Sequence, residues 1–124
     1  MVYDRATVTP GGPLILVVED DASLRLVCRV NLELEGFRVE EAASVAEARD
    51  AAARERPALV VLDLWLGTED AGELLDGLRG DGLPVVLLSG ADDAGDYAGR
   101  ATEVMGKPFE PMALVAVAQR LTSG

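Results

Sequence analysis

Histidine is absent from this 124-residue chain. That excludes Ser-His-Asp triads, histidine-ligated zinc and imidazole acid–base catalysis. Cysteine occurs once, at Cys28, so no internal disulfide can form. A lone cysteine fits a reducing compartment, and a cytoplasmic location is expected. Cys28 falls on the apolar stripe of a helix with no histidine to activate it, so it reads as a core residue rather than a nucleophile. Aromatic residues make up only 4% of the chain, which leaves Val, Leu and Ala to build the core. No apolar run reaches membrane length and no signal-peptide pattern is present, so no membrane association is expected. Basic residues are scarce, 11 against 22 acidic ones, for a net charge of -11. That balance argues against direct nucleic-acid binding, which needs clustered Lys and Arg. The chemistry left to such a chain must use carboxylates, lysine, serine, backbone groups and a hard metal.

What is present is a globular pattern: 49% hydrophobic residues in a length that suits one domain. Met1 to Pro13 carry Pro10-Gly11-Gly12-Pro13 and little periodicity, and read as a flexible leader to a single domain over residues 14–121. Strands and helices then alternate. Leu14 to Val18 is an apolar run. Ser23 to Glu35 has helical spacing at Leu24, Val27, Cys28, Asn31 and Leu32, with Gly36 as terminator. Phe37 to Glu41 alternates as a strand. Ser44-Val45-Ala46-Glu47 is a capping box that opens an alanine-rich helix ended by Pro57. Ala58 to Leu62 is apolar on both faces and ends in Asp63. A loop through Gly67 leads to a helix from about Asp70 to Arg79, broken by Gly80-Asp81-Gly82. Strands follow at Pro84 to Leu88 and Ala101 to Met105, separated by a segment, Asp92 to Arg100, that has room only for a brief helix. Pro111 opens the last helix, with Leu114, Val115, Val117, Ala118 and Leu121 inward. Continuous Val- and Leu-rich runs alternating with helices predict an α/β fold, a doubly wound five-stranded parallel sheet of the flavodoxin-like kind with strand order 2-1-3-4-5.

Ligand sites of open α/β folds lie at the carboxyl edge of the sheet. At that edge the reading places Glu19, Asp20 and Asp21 after the first strand, Asp63 at the end of the third, Ser89 after the fourth and Lys107 after the fifth. A buried, unpaired carboxylate is costly. Its place at the end of the central strand, with other acids, a hydroxyl and one amine converging on it, points to phosphate chemistry on an aspartate. Taken singly, each residue has a plainer reading. Asp20 or Asp21 could cap the following helix, Ser89 could be a turn residue and Lys107 a surface lysine. Asp21 in particular stays open between capping and metal support. Met105 and Phe109 read as core packing.

The motifs Leu16-Val17-Val18-Glu19-Asp20-Asp21, Leu62-Asp63-Leu64-Trp65-Leu66, Leu88-Ser89-Gly90 and Lys107-Pro108-Phe109, in this order, resemble the response regulator receiver domain of two-component signalling. The resemblance spans Leu14 to Leu121. It implies that Asp63 accepts a phosphoryl group, and that Glu19, Asp20 and Asp63 hold Mg2+ with the backbone carbonyl of Trp65. It implies that Ser89 binds a phosphoryl oxygen and that Lys107 pairs with the acyl phosphate. A cis peptide bond before Pro108 belongs to the same pattern. The implied partner is a sensor histidine kinase or histidine phosphotransfer protein, docking on the first helix near Leu24, Arg25, Cys28 and Arg29 and on the loop after Lys107. Output would pass through protein–protein contacts. The implied role is that of a signalling receiver and not of an enzyme.

Three departures qualify the resemblance. Gly67 stands where a proline is usual, and Ala71 separates Asp70 from Gly72, which predicts a longer and looser loop. Val104 occupies the place of a switch aromatic, three residues before Lys107. The span from Ser89 to Lys107 is short, and a loop from Ser89 to Gly99 is expected to carry the response instead. Two other functions compete. A degenerate receiver would bind partners without phosphorylation. A phosphatase of the haloacid dehalogenase type would need an acid two residues past its nucleophile, where this chain has Trp65.

Overall fold

A computed structural model describes residues 11–90, 94–97 and 99–123. The elements are β1 (Leu14–Val18), α1 (Ala22–Leu34), β2 (Arg38–Ala42), α2 (Val45–Arg54), β3 (Leu59–Asp63), β4 (Trp65–Leu66), β5 (Glu69–Asp70), α3 (Gly72–Gly80), β6 (Val85–Ser89), α4 (Ala94–Tyr97), β7 (Glu103–Gly106) and α5 (Pro111–Thr122). Five strands form one parallel sheet in the order β2-β1-β3-β6-β7. Without the short ribbon β4–β5, that is the expected 2-1-3-4-5.

The central strands β1, β3 and β6 are buried along their whole length. Alternate side chains therefore enter two separate cores. One core holds Leu16, Val18, Val60, Leu62, Val85 and Leu87 with Leu74, Leu75 and Leu78 of α3 and Ala48 and Ala51 of α2. The other holds Ile15, Val17, Val61, Val86 and Leu88 with Cys28 and Leu32 of α1 and Leu114, Val115 and Ala118 of α5. The sheet is thus covered on both faces, as an all-parallel sheet requires.

Several local expectations are refined. The capping box at Ser44 forms, with Ser44 Oγ accepting from Glu47 N at 3.2 Å. Its return arm reaches one residue further back, Glu47 Oε1 accepting from Ala43 N at 3.1 Å. On α1 the apolar stripe is narrower than the spacing implies: Val27 is exposed, whereas Glu33 is buried. The loop through Gly67 is not loose. Trp65 pairs with Asp70 and Leu66 with Glu69 in the antiparallel ribbon β4–β5. Gly67 makes its turn with φ +66°, a conformation that side chains disfavour. Because Glu69 and Asp70 belong to the ribbon, α3 begins two residues later than its pattern suggests.

The residues of the expected leader up to Pro10 lie outside the described residues, as do 91–93 and 98 within the segment expected to carry the response. Gly12 and Pro13 are bonded through their carbonyls to Arg38, at 2.7 and 2.9 Å. Among the described residues, no helix is long and apolar enough to cross a membrane.

Candidate functional site

Strand β3 delivers Asp63 to the carboxyl edge of the sheet, in register with Leu88 of β6, and 6% of the residue remains exposed. Glu19 follows β1 directly. Its N–H donates to Ala42 O at 3.0 Å, which continues the β1–β2 ladder one residue past the strand and leaves the side chain buried beside Asp63. Asp20 is exposed, and its Oδ2 accepts from Gly67 N at 2.8 Å, so the ribbon turn is anchored on it. Each of Glu19, Asp20 and Asp63 offers an oxygen, and these oxygens lie within 4.8 Å of one another. That donor set, three carboxylates and no nitrogen or sulfur, suits a hard cation such as Mg2+.

Asp21 is not part of the cluster. Its Oδ1 accepts from Ser23 N at 2.9 Å and Leu24 N at 3.2 Å, so it caps α1. The alternative left open by the sequence is thereby decided in favour of capping.

Lys107 enters from the end of β7. Its N–H donates to Ser89 O at 2.8 Å, and the Lys107–Pro108 peptide is cis, as expected. Its Nζ lies 3.0 Å from Asp63 Oδ2 and 3.3 and 3.4 Å from the two Glu19 oxygens. One ammonium thus serves two buried carboxylates. Burial, reinforced by the hydrogen bond and charge of Asp63, pushes the Glu19 carboxyl up to about 8, and Lys107 offsets this only in part. Burial alone would lower the Lys107 ammonium. The two carboxylates outweigh it and hold Lys107 above the usual lysine value.

The remaining expected residues gather at the same edge. Trp65 N donates to Asp63 Oδ1 at 3.4 Å, while the residue itself is 44% exposed beside the site. Ser89 is buried at the end of β6, and its hydroxyl donates locally to Gly90 O at 3.2 Å. Val104 packs against the α2–α3 core, and Met105 and Phe109 against the α1–α5 core, as core residues do. Cys28 is buried, and burial pushes its thiol up to about 12, which removes it from nucleophilic chemistry.

The arginines of the docking surface expected on α1 are engaged in ion pairs. Arg25 and Arg29 are about one-fifth exposed and bonded to Glu41, at 3.2 and 2.7 Å. Burial pushes the Glu41 carboxyl up, but Arg29 and Arg25 outweigh it and hold it below the usual range. The large side chains that α1 exposes are apolar: Leu26, Val27 and Leu34. Glu41 carries no signal in the sequence. It is 16 residues from Arg25 and meets it only because β2 pairs with β1.

Residues 15–119 match the family model of the response regulator receiver domain. Response regulator MprA of Mycobacterium sp. (strain KMS) is 39% identical over 109 residues, covering 82% of this chain and 47% of the relative. Transcriptional regulatory protein KdpE of Mycobacterium tuberculosis (strain ATCC 25618 / H37Rv) is 36% identical over 101 residues, covering 77% and 45%. The chain therefore spans about half the length of the curated relatives it matches. Among solved structures, the receiver domain of NtrX from Brucella abortus superimposes with a TM-score of 0.80 at 32% identity, covering 87% of this chain and 97% of that one. The Francisella response regulator 1452 receiver domain shares the fold, with a TM-score of 0.79 at 23% identity and coverage of 90% and 97%.

Proposed function

We propose, for a chain that belongs to the response regulator receiver domain family, that Asp63 accepts a phosphoryl group in a two-component relay. The observation that carries this reading is the contact of one ammonium, Lys107 Nζ, with Asp63 and Glu19 at the end of the central strand. A carboxylate attacks an anionic phosphoryl group only where charge repulsion is cancelled. Lys107 is the positive charge held against the attacking group. The acceptor is fixed at both ends, Oδ1 by Trp65 N and Oδ2 by Lys107. Positioning of that kind is most of what phosphoryl transfer asks of a protein.

These 124 residues contain no histidine, so the phosphoryl donor lies outside them. With a phosphohistidine donor, an oxygen of Asp63 forms the new P–O bond as the P–N bond breaks. The imidazole nitrogen leaves with the bonding pair and is protonated, and the product is an acyl phosphate on Asp63. Glu19, Asp20 and Asp63, with the carbonyl of Trp65, would hold Mg2+, which supplies positive charge to the phosphoryl oxygens. Lys107 exchanges part of its contact with the Asp63 carboxylate for the new phosphate. Ser89 is one residue past the register partner of Asp63, and rotation about its side chain would exchange the Gly90 contact for a phosphoryl oxygen. The partners in this reading are a sensor histidine kinase or histidine phosphotransfer protein and a downstream protein. The exposed leucine and valine side chains at 26 and 27 of α1 are the docking contacts in place of the arginines. The chain acts in the cytoplasm as a receiver and not as an enzyme with a substrate of its own.

Incubation with acetyl phosphate and Mg2+, followed by intact-mass analysis, tests the reading. One added phosphoryl group is expected, absent in Asp63→Asn. An adduct that persists in Asp63→Asn overturns the assignment, and no adduct in the wild type favours a phosphorylation-independent interaction module.

A further inference from the structure

We propose that Arg25 is a positioning residue for the metal-binding acids, holding the peptide between Glu19 and Asp20, with Glu41 holding Arg25. The inference rests on the acceptor reading above and concerns how its acidic pair is kept in place. Arg25 Nη1 donates to Glu19 O at 2.7 Å, a short charge-assisted bond to main chain just past the end of β1. Arg25 Nε donates to Glu41 Oε1 at 3.2 Å, and the other oxygen of Glu41 accepts from Arg29 Nη1 at 2.7 Å. Glu41 itself is clamped, because it lies in β2 opposite Val17 of β1.

The consequence is geometric. Glu19 is held at its N–H by Ala42 O and at its carbonyl by Arg25. Ala42 and Glu41 are adjacent at the end of β2, so this one strand end fixes both sides of Glu19. The carbonyl of Glu19 belongs to the same peptide plane as the N–H of Asp20. Fixing that oxygen fixes the plane from which Asp20 projects. Asp20 then needs one further restraint, and Gly67 N supplies it at its Oδ2. Without Arg25, the exposed Asp20 keeps only its tie to the ribbon turn. A hydrated Mg2+ would meet a carboxylate that must be ordered on binding.

An arginine also fits this place for a physical reason. Its fork donates in two directions from one rigid plane, to a carbonyl and to a carboxylate. A lysine reaches either partner as a single point. An ordinary surface ion pair contributes little and would be replaceable. Here both side chains are mostly buried, and the guanidinium satisfies main chain as well as charge. Partners that orient metal ligands in this way typically change affinity 10- to 100-fold on removal.

Mg2+ affinity measured by calorimetry, with the emission of the lone tryptophan at 65 as a second readout and thermal unfolding in EDTA alongside, tests the proposal. Arg25→Ala is expected to weaken Mg2+ binding about tenfold. Arg25→Lys and Glu41→Gln are expected to fall between it and the wild type, and labelling by acetyl phosphate should recover as Mg2+ is raised to saturation. If Arg25→Ala lowers the unfolding temperature but leaves Mg2+ affinity unchanged, Arg25 is a structural ion-pair residue and the proposal is overturned. Should Arg25→Ala fail to fold, Arg25→Gln, which keeps an amide donor, and Glu41→Gln carry the same comparison. Failure of the acceptor reading looks different: a wild type that binds Mg2+ and takes no phosphoryl group sinks that reading, while the dependence of Mg2+ affinity on Arg25 is still measured.

Discussion

Lys107 and Asp63 are 44 residues apart in the chain, and their side chains meet at 3.0 Å across the carboxyl edge of the sheet. The same ammonium reaches both oxygens of Glu19. The site therefore holds a surplus of acidic groups over basic ones, two buried carboxyls and one exposed one around a single lysine. In the function proposed above, such a surplus takes the cation and such an amine meets the phosphoryl group.

Removal of the amine should be destabilising in the absence of metal. In Lys107→Met the two buried carboxylates lose their one counter-charge. Breaking a fully buried pair costs several kcal/mol, but Lys107 is about a quarter exposed, and protonation of Glu19 relieves part of the penalty. A loss of about 1–2 kcal/mol is expected in urea unfolding at pH 8 with EDTA, and saturating Mg2+ should recover much of it. A variant as stable as the wild type under both conditions would show that Lys107 does not compensate these acids.

Glu19 makes the metal-free stability depend on pH in an unusual direction. Its carboxyl is raised in the folded protein from 4.5 to about 8. Between those values the folded state holds a proton that the unfolded chain has lost. Stability from this group is thus fully present below pH 4.5 and is lost as pH rises towards 8. The urea midpoint in EDTA should fall from pH 5.5 to pH 7.5, and Glu19→Gln should flatten that slope. Mg2+ binding needs the ionised carboxylate, so it should release protons in the same range, measurable as a buffer-dependent heat. An equal slope in Glu19→Gln would assign the proton elsewhere.

Most of this site is legible in the sequence because its members sit at strand ends. A buried parallel strand is a continuous apolar run, so the first polar residue after it marks the sheet edge. Asp63, Glu19 and Ser89 are each found that way. The ribbon β4–β5 is not legible: two residues per strand are too few for alternation to show, and its anchor on Asp20 is a long-range contact. The arginines of α1 mislead for a related reason. Helical spacing places them near the surface, but only strand pairing shows that Glu41 has already engaged them. Asp21 has two roles open to it by local rules alone, and the bonds it accepts from the residues two and three ahead make it the cap.

Asp20 should control the response to metal. It is the exposed member of the cluster, and it also anchors Gly67. Asp20→Asn removes one charge from a like-charge cluster but retains an oxygen that can accept from Gly67. Metal-free stability should therefore hold or rise slightly, by up to about 1 kcal/mol, while the Mg2+-induced shift in melting temperature is lost. An undiminished shift in Asp20→Asn would remove Asp20 from the ligand set.

The final expectation concerns the tie between α4 and the ribbon beside the acceptor. Tyr97 donates to Asp70 Oδ2 at 3.0 Å, while Asp70 Oδ1 accepts from Gly72 N at 2.7 Å and so opens α3. Arg100 lies over the Tyr97 ring at 4.6 Å, grips Asp76 with bonds of 2.9 and 2.8 Å, and reaches Gly72 O at 3.1 Å. These groups close over Gly72. A Cβ there would come within 3.0 Å of Asp70 Oδ1 and 3.2 Å of both Arg100 Nη2 and Tyr97 Cε1. Gly72→Ala should displace the tyrosine and the arginine together. Global stability is a poor readout, because alanine gains up to about 1 kcal/mol in a helix and offsets the crowding. Local exchange is a better one. The amides of Arg100 and Ala101 both donate to Tyr97 O, so they should exchange faster in Gly72→Ala. Tyr97→Phe, which loses only the Asp70 bond, should show a smaller increase. Acetyl phosphate labelling should be unchanged in Tyr97→Phe, because Asp70 keeps its bond to Gly72 N and the ribbon stays anchored on Asp20. Unaltered exchange at Arg100 and Ala101 in Gly72→Ala would mean that the cluster has room for a methyl group and does not tie α4 down.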